Sequence, residues 1–135
     1  MDSESSIRKG RRAAGDRGEQ QACSYLEQLG YSILARNWRS GHLELDIVAA
    51  DPAGNLRFVE VKTRIEPFSV APELQVDHVK RRRLEAAAMA YLQDPQAPKP
   101  LSGSGESFFD IVAVVLGGEH LEVNYFPSAW IPMYV

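Results

Sequence analysis

The stretch LELDIVAADPAGNLRFVEVKTR, residues 43–64, contains two runs of alternating apolar and polar residues around a turn. In the first run, LELDI at 43–47, apolar residues alternate with acidic ones, which is the period of a half-buried β-strand. The segment DPAGN at 51–55 has the composition of a turn. Because the alternation resumes over residues 56–64, the stretch predicts a β-hairpin.

The register of this hairpin decides which of its charged side chains meet. If residues 51–55 form the loop, Asp46 lies directly opposite Glu60, with Lys62 on the same strand face as Glu60. A four-residue loop would instead place Asp46 opposite Val59 and send the two carboxylates to opposite faces. The five-residue loop therefore predicts an acidic pair with a lysine beside it.

Outside the hairpin, the chain predicts two helices and three further strands. The helices are expected over residues 15–30 and 77–92 and the strands over residues 31–39, 108–116 and 120–126. The predicted apolar faces of the two helices are Ala22, Tyr25, Leu26 and Leu29, and Val79, Ala86, Ala87, Ala90 and Tyr91. Asp77 is a predicted helix cap. The order of elements indicates an α/β fold, with a mixed sheet of about five strands flanked by two main helices.

Size and composition indicate one folded domain. With 135 residues, 44% apolar and 24% charged, the chain predicts a flexible N-terminus over residues 1–10 and a single domain over residues 11–135. A Pro-, Gly- and Ser-rich loop is expected over residues 94–107. Asp110, inside an apolar strand, is expected to need a hydrogen-bond partner.

The composition also excludes several classes of protein. Cys23 is the single cysteine, which rules out an internal disulfide and a Cys-rich zinc cage. The longest aliphatic run, IVAVVL at 111–116, is too short to span a membrane, and the basic start lacks the apolar segment of a signal peptide. His42, His78 and His120 have no metal-ligand spacing. We expect a cytoplasmic protein.

The acidic hairpin has two interpretations. In the simpler one, its polar residues face solvent and its apolar residues face the core. In the other, Asp46, Glu60 and Glu44 hold a Mg²⁺ or Mn²⁺ ion, since hard divalent cations take carboxylate oxygens. Lys62 would then assist phosphodiester hydrolysis as a nearby positive charge. Glu19, on the same helical face as Ala22 and Leu26, is an auxiliary carboxylate in the second interpretation and a favourable first-turn residue in the first.

At these residues the sequence resembles the PD-(D/E)xK nuclease superfamily, in which an acid on one strand precedes a (D/E)xK tripeptide on the next. A glutamate on the first helix often accompanies this core. Glu19, Asp46 and Glu60-Val61-Lys62 match these elements in order. More closely, the chain resembles the YraN-like family of small bacterial proteins, relatives of Holliday junction resolvases. The matching segments are GDRGEQQACSYL at 15–26, NWR at 37–39, ELDIVA at 44–49, FVEVKTR at 58–64 and FDIVAV at 109–114.

This resemblance implies a restriction-endonuclease-like core and a catalytic set of Asp46, Glu60, Lys62 and Glu19. Two positions depart from the family pattern, because Leu43 and Phe108 stand where the family usually has glycine and arginine. The candidate nucleic-acid-binding residues are Arg36, Arg39, Arg64, Lys80 and Arg81. Trp38, beside two of these arginines, is either a packing residue or a stacking platform for an unpaired base.

Three functions are therefore considered. The leading hypothesis is a Mg²⁺- or Mn²⁺-dependent DNA endonuclease acting on branched or single-stranded DNA. The alternative is a non-catalytic nucleic-acid-binding or adaptor module with a nuclease fold. A third is a protein-interaction domain that uses the apolar tail PSAWIPMYV at 127–135. Junction resolution would require two active sites and hence a homodimer.

Overall fold

A computed structural model describes residues 3–66, 76–101 and 105–132, with side chains from residue 12 onward. The helices and strands of this part of the chain are α1 (Ser3–Gln28), β1 (Ser32–Ser40), β2 (Leu43–Ala50), β3 (Leu56–Ile65), α2 (His78–Gln93), β4 (Ser107–Gly117) and β5 (His120–Trp130). The strands form one mixed sheet in the order β1-β2-β3-β4-β5. Strands β3 and β4 are parallel and the other neighbours antiparallel, with α2 in the crossover that parallel strands require. The predicted α/β fold is confirmed.

The hairpin has the five-residue loop. Ala50 pairs with Leu56, so residues 51–55 connect β2 to β3. The Asp51 carboxylate fixes this turn, because it accepts hydrogen bonds from the backbone N–H groups of Ala53 and Asn55, each at 3.0 Å. The register that places Asp46 level with Glu60 is thus set by local turn chemistry.

Helix α1 packs on one face of the sheet and buries Ala22, Cys23 and Leu26. It begins at Ser3, earlier than the predicted start at Gly15, and so includes most of the segment predicted to be a flexible N-terminus. Leu29 was predicted on the buried face, but it follows the last helical residue and is 44% exposed. The helix ends there because Gly30 adopts φ +89°.

Helix α2 packs on the opposite face of the sheet, and its buried residues are Leu84, Glu85, Ala87, Ala88 and Tyr91. The predicted apolar face of this helix was partly wrong, because Val79 and Ala86 are exposed. The run AAAMA offers several nearly equivalent apolar stripes, and packing against the sheet selects the one that contains Leu84 and Ala88. The predicted cap is confirmed, since Asp77 accepts a hydrogen bond from the Lys80 backbone N–H at 2.9 Å.

Two side chains singled out in the sequence have structural roles. Trp38 packs edge-to-face on Tyr91, with ring centroids 5.1 Å apart, as the packing interpretation predicts. Asp110 is fully buried and is hydrogen-bonded, as predicted. Its carboxylate accepts hydrogen bonds from Arg57 and from the hydroxyl of Tyr125. This network ties β3, β4 and β5 together on the α1 face.

No helix among the described residues is long and apolar enough to cross a membrane. Residues 102–104 of the predicted 94–107 loop lie outside the described residues, as do residues 133–135 of the apolar tail. The earlier part of the tail, residues 127–130, completes β5, where Trp130 stacks on Phe109 at 5.0 Å.

Candidate metal and nucleic-acid site

The two strands of the hairpin separate at the position of Asp46. Backbone pairing between β2 and β3 ends with Ile47 and Val59, whereas β2 remains paired with β1 as far as Leu43. Beyond that point, the Val61 N–H donates to the Asp46 carboxylate at 2.9 Å instead of to a strand carbonyl. Asp46 therefore lies where the sheet forks, which is a place that a ligand can enter.

The backbone is irregular beside Asp46 in both β2 and β1. Leu45 and Ile47 are two residues apart but belong to opposite cores of the protein, which a regular strand does not allow. Across from Asp46 on β1, Asn37 has φ +49°, a conformation that asparagine tolerates better than most residues. The regular alternation of side chains between the two faces is therefore interrupted at Asp46.

Burial and a second carboxylate raise the pKa of Asp46. Burial is the largest effect and raises the pKa of Asp46 to about 7, with the negative charge of Glu60 adding to it and the Val61 hydrogen bond opposing it. Glu19 raises the pKa of Asp46 further, and Lys80 lowers it. Three carboxylates and one ammonium group thus act on one another at the fork.

Glu60 is held by a lysine from the other side of the cleft. Its carboxylate is only 6% exposed, and its Oε1 atom lies 2.7 Å from Nζ of Lys80 in the first turn of α2. The pair lies in an open cleft of about 650 Å³ between the sheet fork and α2. The charged and imidazole side chains that line it are His42, Glu44, Asp46, Glu60, Asp77, His78, Lys80 and Arg83.

Glu19 approaches the fork from α1. Burial is the largest effect on its carboxyl and raises the pKa, while a hydrogen bond from the Asn37 side chain and the charge of Arg36 oppose this. Its Oε2 atom is buried and has no hydrogen-bond partner among the described residues. A buried oxygen without a partner at an acidic site is suited to a cation or its bound water.

Close packing of α1 on β3 brings Glu19 to this position. A Cβ atom added at Gly18 would lie 1.9 Å from Oγ1 and 3.0 Å from Cβ of Thr63. Only glycine allows the helix to approach the strand so closely. Gly15, one turn earlier, has open space at the same point.

We expect Gly18→Ala to lower the free energy of unfolding by about 2 kcal/mol, because the stiff Thr63 side chain cannot yield without moving α1 from the sheet. Gly15→Ala, the matched control, is expected to raise stability by about 0.5–1 kcal/mol through helix propensity. Urea unfolding monitored by circular dichroism measures both. Equal effects of the two substitutions would contradict the close-packing role of Gly18.

Glu44 and Lys62, the other predicted site residues on the hairpin, are not grouped with Asp46 and Glu60 in the same way. Glu44 lines the cleft, but it pairs across the strands with Arg39 at 3.6 Å. Lys62 is half-buried on β3 and is not part of the cleft lining. Across residues 3–66, 76–101 and 105–132, no three His, Cys, Asp or Glu side chains are grouped closely enough to hold a metal ion. The structure therefore brings Asp46 and Glu60 together without a third close ligand.

The five candidate nucleic-acid-binding residues do not form one patch. Lys80 lies in the cleft, and exposed Arg39 reaches its rim through the pair with Glu44. Arg81 is directed to the ring of Trp130, 5.6 Å from its centroid. The other two arginines bond elsewhere, Arg36 to Gln20 and Arg64 to Glu66, each at 3.0 Å.

Sequence reasoning missed three contributors to the site. It assigned Lys80 to phosphate contact, whereas the structure pairs this lysine with Glu60. It gave no role to Asn37 or Gly18, although both belong to the matched motif segments. An asparagine inside a strand and a glycine inside a helix are themselves signals of special backbone geometry or close approach.

Comparisons with known proteins place the chain in a family. A family model described as "Uncharacterised protein family UPF0102" matches residues 18–114, which include every fork residue described above. A UPF0102 protein of Trichlorobacter lovleyi is 38% identical over 92% of this chain and 94% of its own length. One from Bacteroides thetaiotaomicron is 41% identical over 87% of this chain and 92% of its own length. The chain therefore belongs to the Uncharacterised protein family UPF0102, which confirms the resemblance to YraN-like proteins.

Proposed function

We propose that the protein is a Mg²⁺- or Mn²⁺-dependent nuclease that hydrolyses phosphodiester bonds in DNA. The observation that carries this proposal is that the Asp46 and Glu60 carboxylates line one open cleft at a fork in the sheet and act on each other electrostatically. Burying two carboxylates together costs folding free energy, which a divalent cation bound between them would offset. The orphaned Oε2 atom of Glu19 supports the same assignment.

The roles of the residues follow from their positions. Asp46 and Glu60 would hold the ion, with Glu19 orienting bound water and Glu44 at the rim of the cleft. When bound, such an ion polarises the phosphodiester and lowers the pKa of water. The Val61 N–H fixes the Asp46 carboxylate, so little reorganisation is needed for binding. Lys62 follows Val61 on β3 and lies outside the cleft lining, so its proposed role is to add positive charge near the fork, and the cations that line the cleft would contact the phosphate.

The basic side chains around the cleft would position the DNA backbone. Arg83 and Lys80 line the cleft, and Arg39 is exposed beside it. Cations so placed contact phosphates without reading sequence, so binding would weaken as salt increases. A preference for branched or single-stranded DNA is consistent with an open cleft, and action on four-way junctions would need a homodimer to supply two active sites.

The test is cleavage of end-labelled four-way junction, flap, single-stranded and duplex DNA with Mn²⁺ or Mg²⁺, beside EDTA. We expect metal-dependent cutting of at least one substrate by the wild-type protein. Glu27→Gln removes an exposed carboxylate on α1 and should cut at the wild-type rate, which controls for the loss of a surface charge. Absence of cutting on every substrate with both metals would overturn the proposal.

A second candidate function is a nucleic-acid-binding module without turnover. It is favoured by one observation: Lys80 already neutralises Glu60, and no third carboxylate within the described residues completes a metal cage. Such a module would bind DNA equally well with EDTA and with Mn²⁺. Binding without cleavage in the same assay would select it over the nuclease.

A further inference from the structure

We propose that Lys80 is a resident counter-cation of the Asp46–Glu60 pair, which a divalent metal ion displaces from Glu60. This inference rests on the proposed metal-dependent function and concerns how the site passes from its metal-free to its metal-bound state. In the metal-free protein the ammonium group would occupy part of the ion's place. After exchange, Lys80 would be free to turn towards the cleft, where a phosphate enters.

The two partners of the ion pair differ in their freedom to move. Glu60 is fixed on a central strand and is 6% exposed, whereas the side chain of Lys80 is 52% exposed. A flexible four-carbon stem allows the lysine head to leave for solvent at little cost, but the carboxylate cannot follow it. Of the two groups, the cation is therefore the one that exchanges.

The position of Lys80 in α2 is unfavourable for the helix itself. The first turn of α2 contains no acidic residue and carries Lys80 and Arg81 near the positive end of the helix dipole. Asp77 accepts a hydrogen bond from the Lys80 backbone N–H, so the cap holds the residue in this place. The ion pair with Glu60 and the nearby charges of Asp46 and Asp77 stabilise a cation at a position where the helix dipole opposes it.

The charge balance at the fork also favours exchange. Lys80 contributes one positive charge beside Asp46 and Glu60, and Glu19 adds a third carboxyl nearby. A single ammonium group leaves these acids incompletely neutralised, whereas a divalent ion bound to their oxygens would neutralise two of them. In the metal-free protein, Lys80 therefore offsets part of the repulsion between these carboxylates. Because it carries a single charge, it competes for their oxygens less strongly than a divalent ion would.

Calorimetric titration of Mn²⁺ into the wild-type protein and Lys80→Met measures the exchange directly, independently of cleavage. In mildly alkaline buffer, removal of the competing ammonium is expected to tighten Mn²⁺ binding about tenfold. Arg83→Met, which removes another cation from the same cleft, is the matched control and should change the affinity by less than about twofold. Equal or weaker Mn²⁺ binding by folded Lys80→Met would overturn the inference.

A second measurement uses only the wild-type protein, in case Lys80→Met folds poorly. Acylation of lysine amines, read by mass spectrometry, should be faster at Lys80 with Mn²⁺ than without it, because the ammonium is released from Glu60. Lys99 is the internal reference, since it bonds the backbone carbonyls of Asp94 and Ala97, outside the cleft. Unchanged labelling of Lys80 while Mn²⁺ binds would overturn the inference and leave the nuclease proposal standing. Absence of Mn²⁺ binding to both proteins would overturn both.

Discussion

Asp46→Asn is expected to lower metal-dependent DNA cleavage by about a thousandfold and, at the same time, to stabilise the metal-free protein. The amide keeps the shape of the carboxylate and its oxygen still accepts the Val61 hydrogen bond, but it offers no charge to a metal ion. Loss of cleavage with the fold intact would identify the Asp46 charge as a requirement of catalysis. Steady-state cleavage rates at saturating Mn²⁺ measure the first effect.

The gain in stability follows from the direction of the pKa change. Burial and Glu60 raise the pKa of Asp46 from 3.8 to about 7, so the folded state holds this proton more tightly than the unfolded state. The protonated acid therefore favours folding, and stability falls as the pH rises from 3.8 to about 7 and stays low above it. At about 1.4 kcal/mol per pH unit, the upper limit of this loss is about 4 kcal/mol.

Asp46→Asn removes this titrating group. The stability of the variant relative to wild type should therefore increase as the pH rises from 3.8 to about 7. Above neutral pH, we expect the variant to be more stable than wild type by about 1–2 kcal/mol. This is less than the upper limit because burying the amide also has a desolvation cost. Urea unfolding of both proteins in EDTA across this pH range measures the difference. Saturating Mn²⁺ should reverse the order by stabilising only the wild type. A variant that is less stable than wild type in EDTA at every pH would contradict the conclusion that the ionised Asp46 carboxylate destabilises the metal-free protein.

Asp110→Ala is expected to cost about 3–5 kcal/mol of stability. The substitution leaves the guanidinium of Arg57, with a side chain 14% exposed, without its fully buried partner. It also removes the acceptor of the Tyr125 hydroxyl at 2.6 Å and of the Ser128 N–H at 2.8 Å. Three donors lose this acceptor in one step, and the Tyr31 and Ser128 hydroxyls that remain beside Tyr125 and Arg57 recover only part of the desolvation cost.

Tyr125→Phe is the matched control for this network, because it removes one donor and leaves the pair of Arg57 and Asp110 in place. Its expected cost is about 1–2 kcal/mol. Denaturant unfolding monitored by circular dichroism compares the two variants. A loss below about 1 kcal/mol for Asp110→Ala would show that Arg57 is satisfied by Asp51 alone, at 3.1 Å.

Much of the fold was predictable because local chemistry and periodicity agree. The DPAGN turn fixes its own register through the Asp51 carboxylate, and this sets Ala50 opposite Leu56. The type and order of both helices and of all five strands among the described residues follow from the sequence pattern, but the early start of α1 at Ser3 and the end of β5 at Trp130 do not. The face of α2 was not predictable in the same way, since AAAMA is apolar on several sides and the sheet decides which side is buried.

By itself, the sequence predicted the hairpin and limited its register to two choices, of which the five-residue loop places Asp46 level with Glu60. It also determined membership of UPF0102, through segments that stay recognisable in order. Tertiary structure alone decided that Lys80 pairs with Glu60, that Gly18 admits Glu19 to the fork, and that Lys62 lies outside the cleft. The physical reason is distance along the chain: periodicity and turn chemistry act over a few residues, whereas these contacts depend on how each helix docks on the sheet.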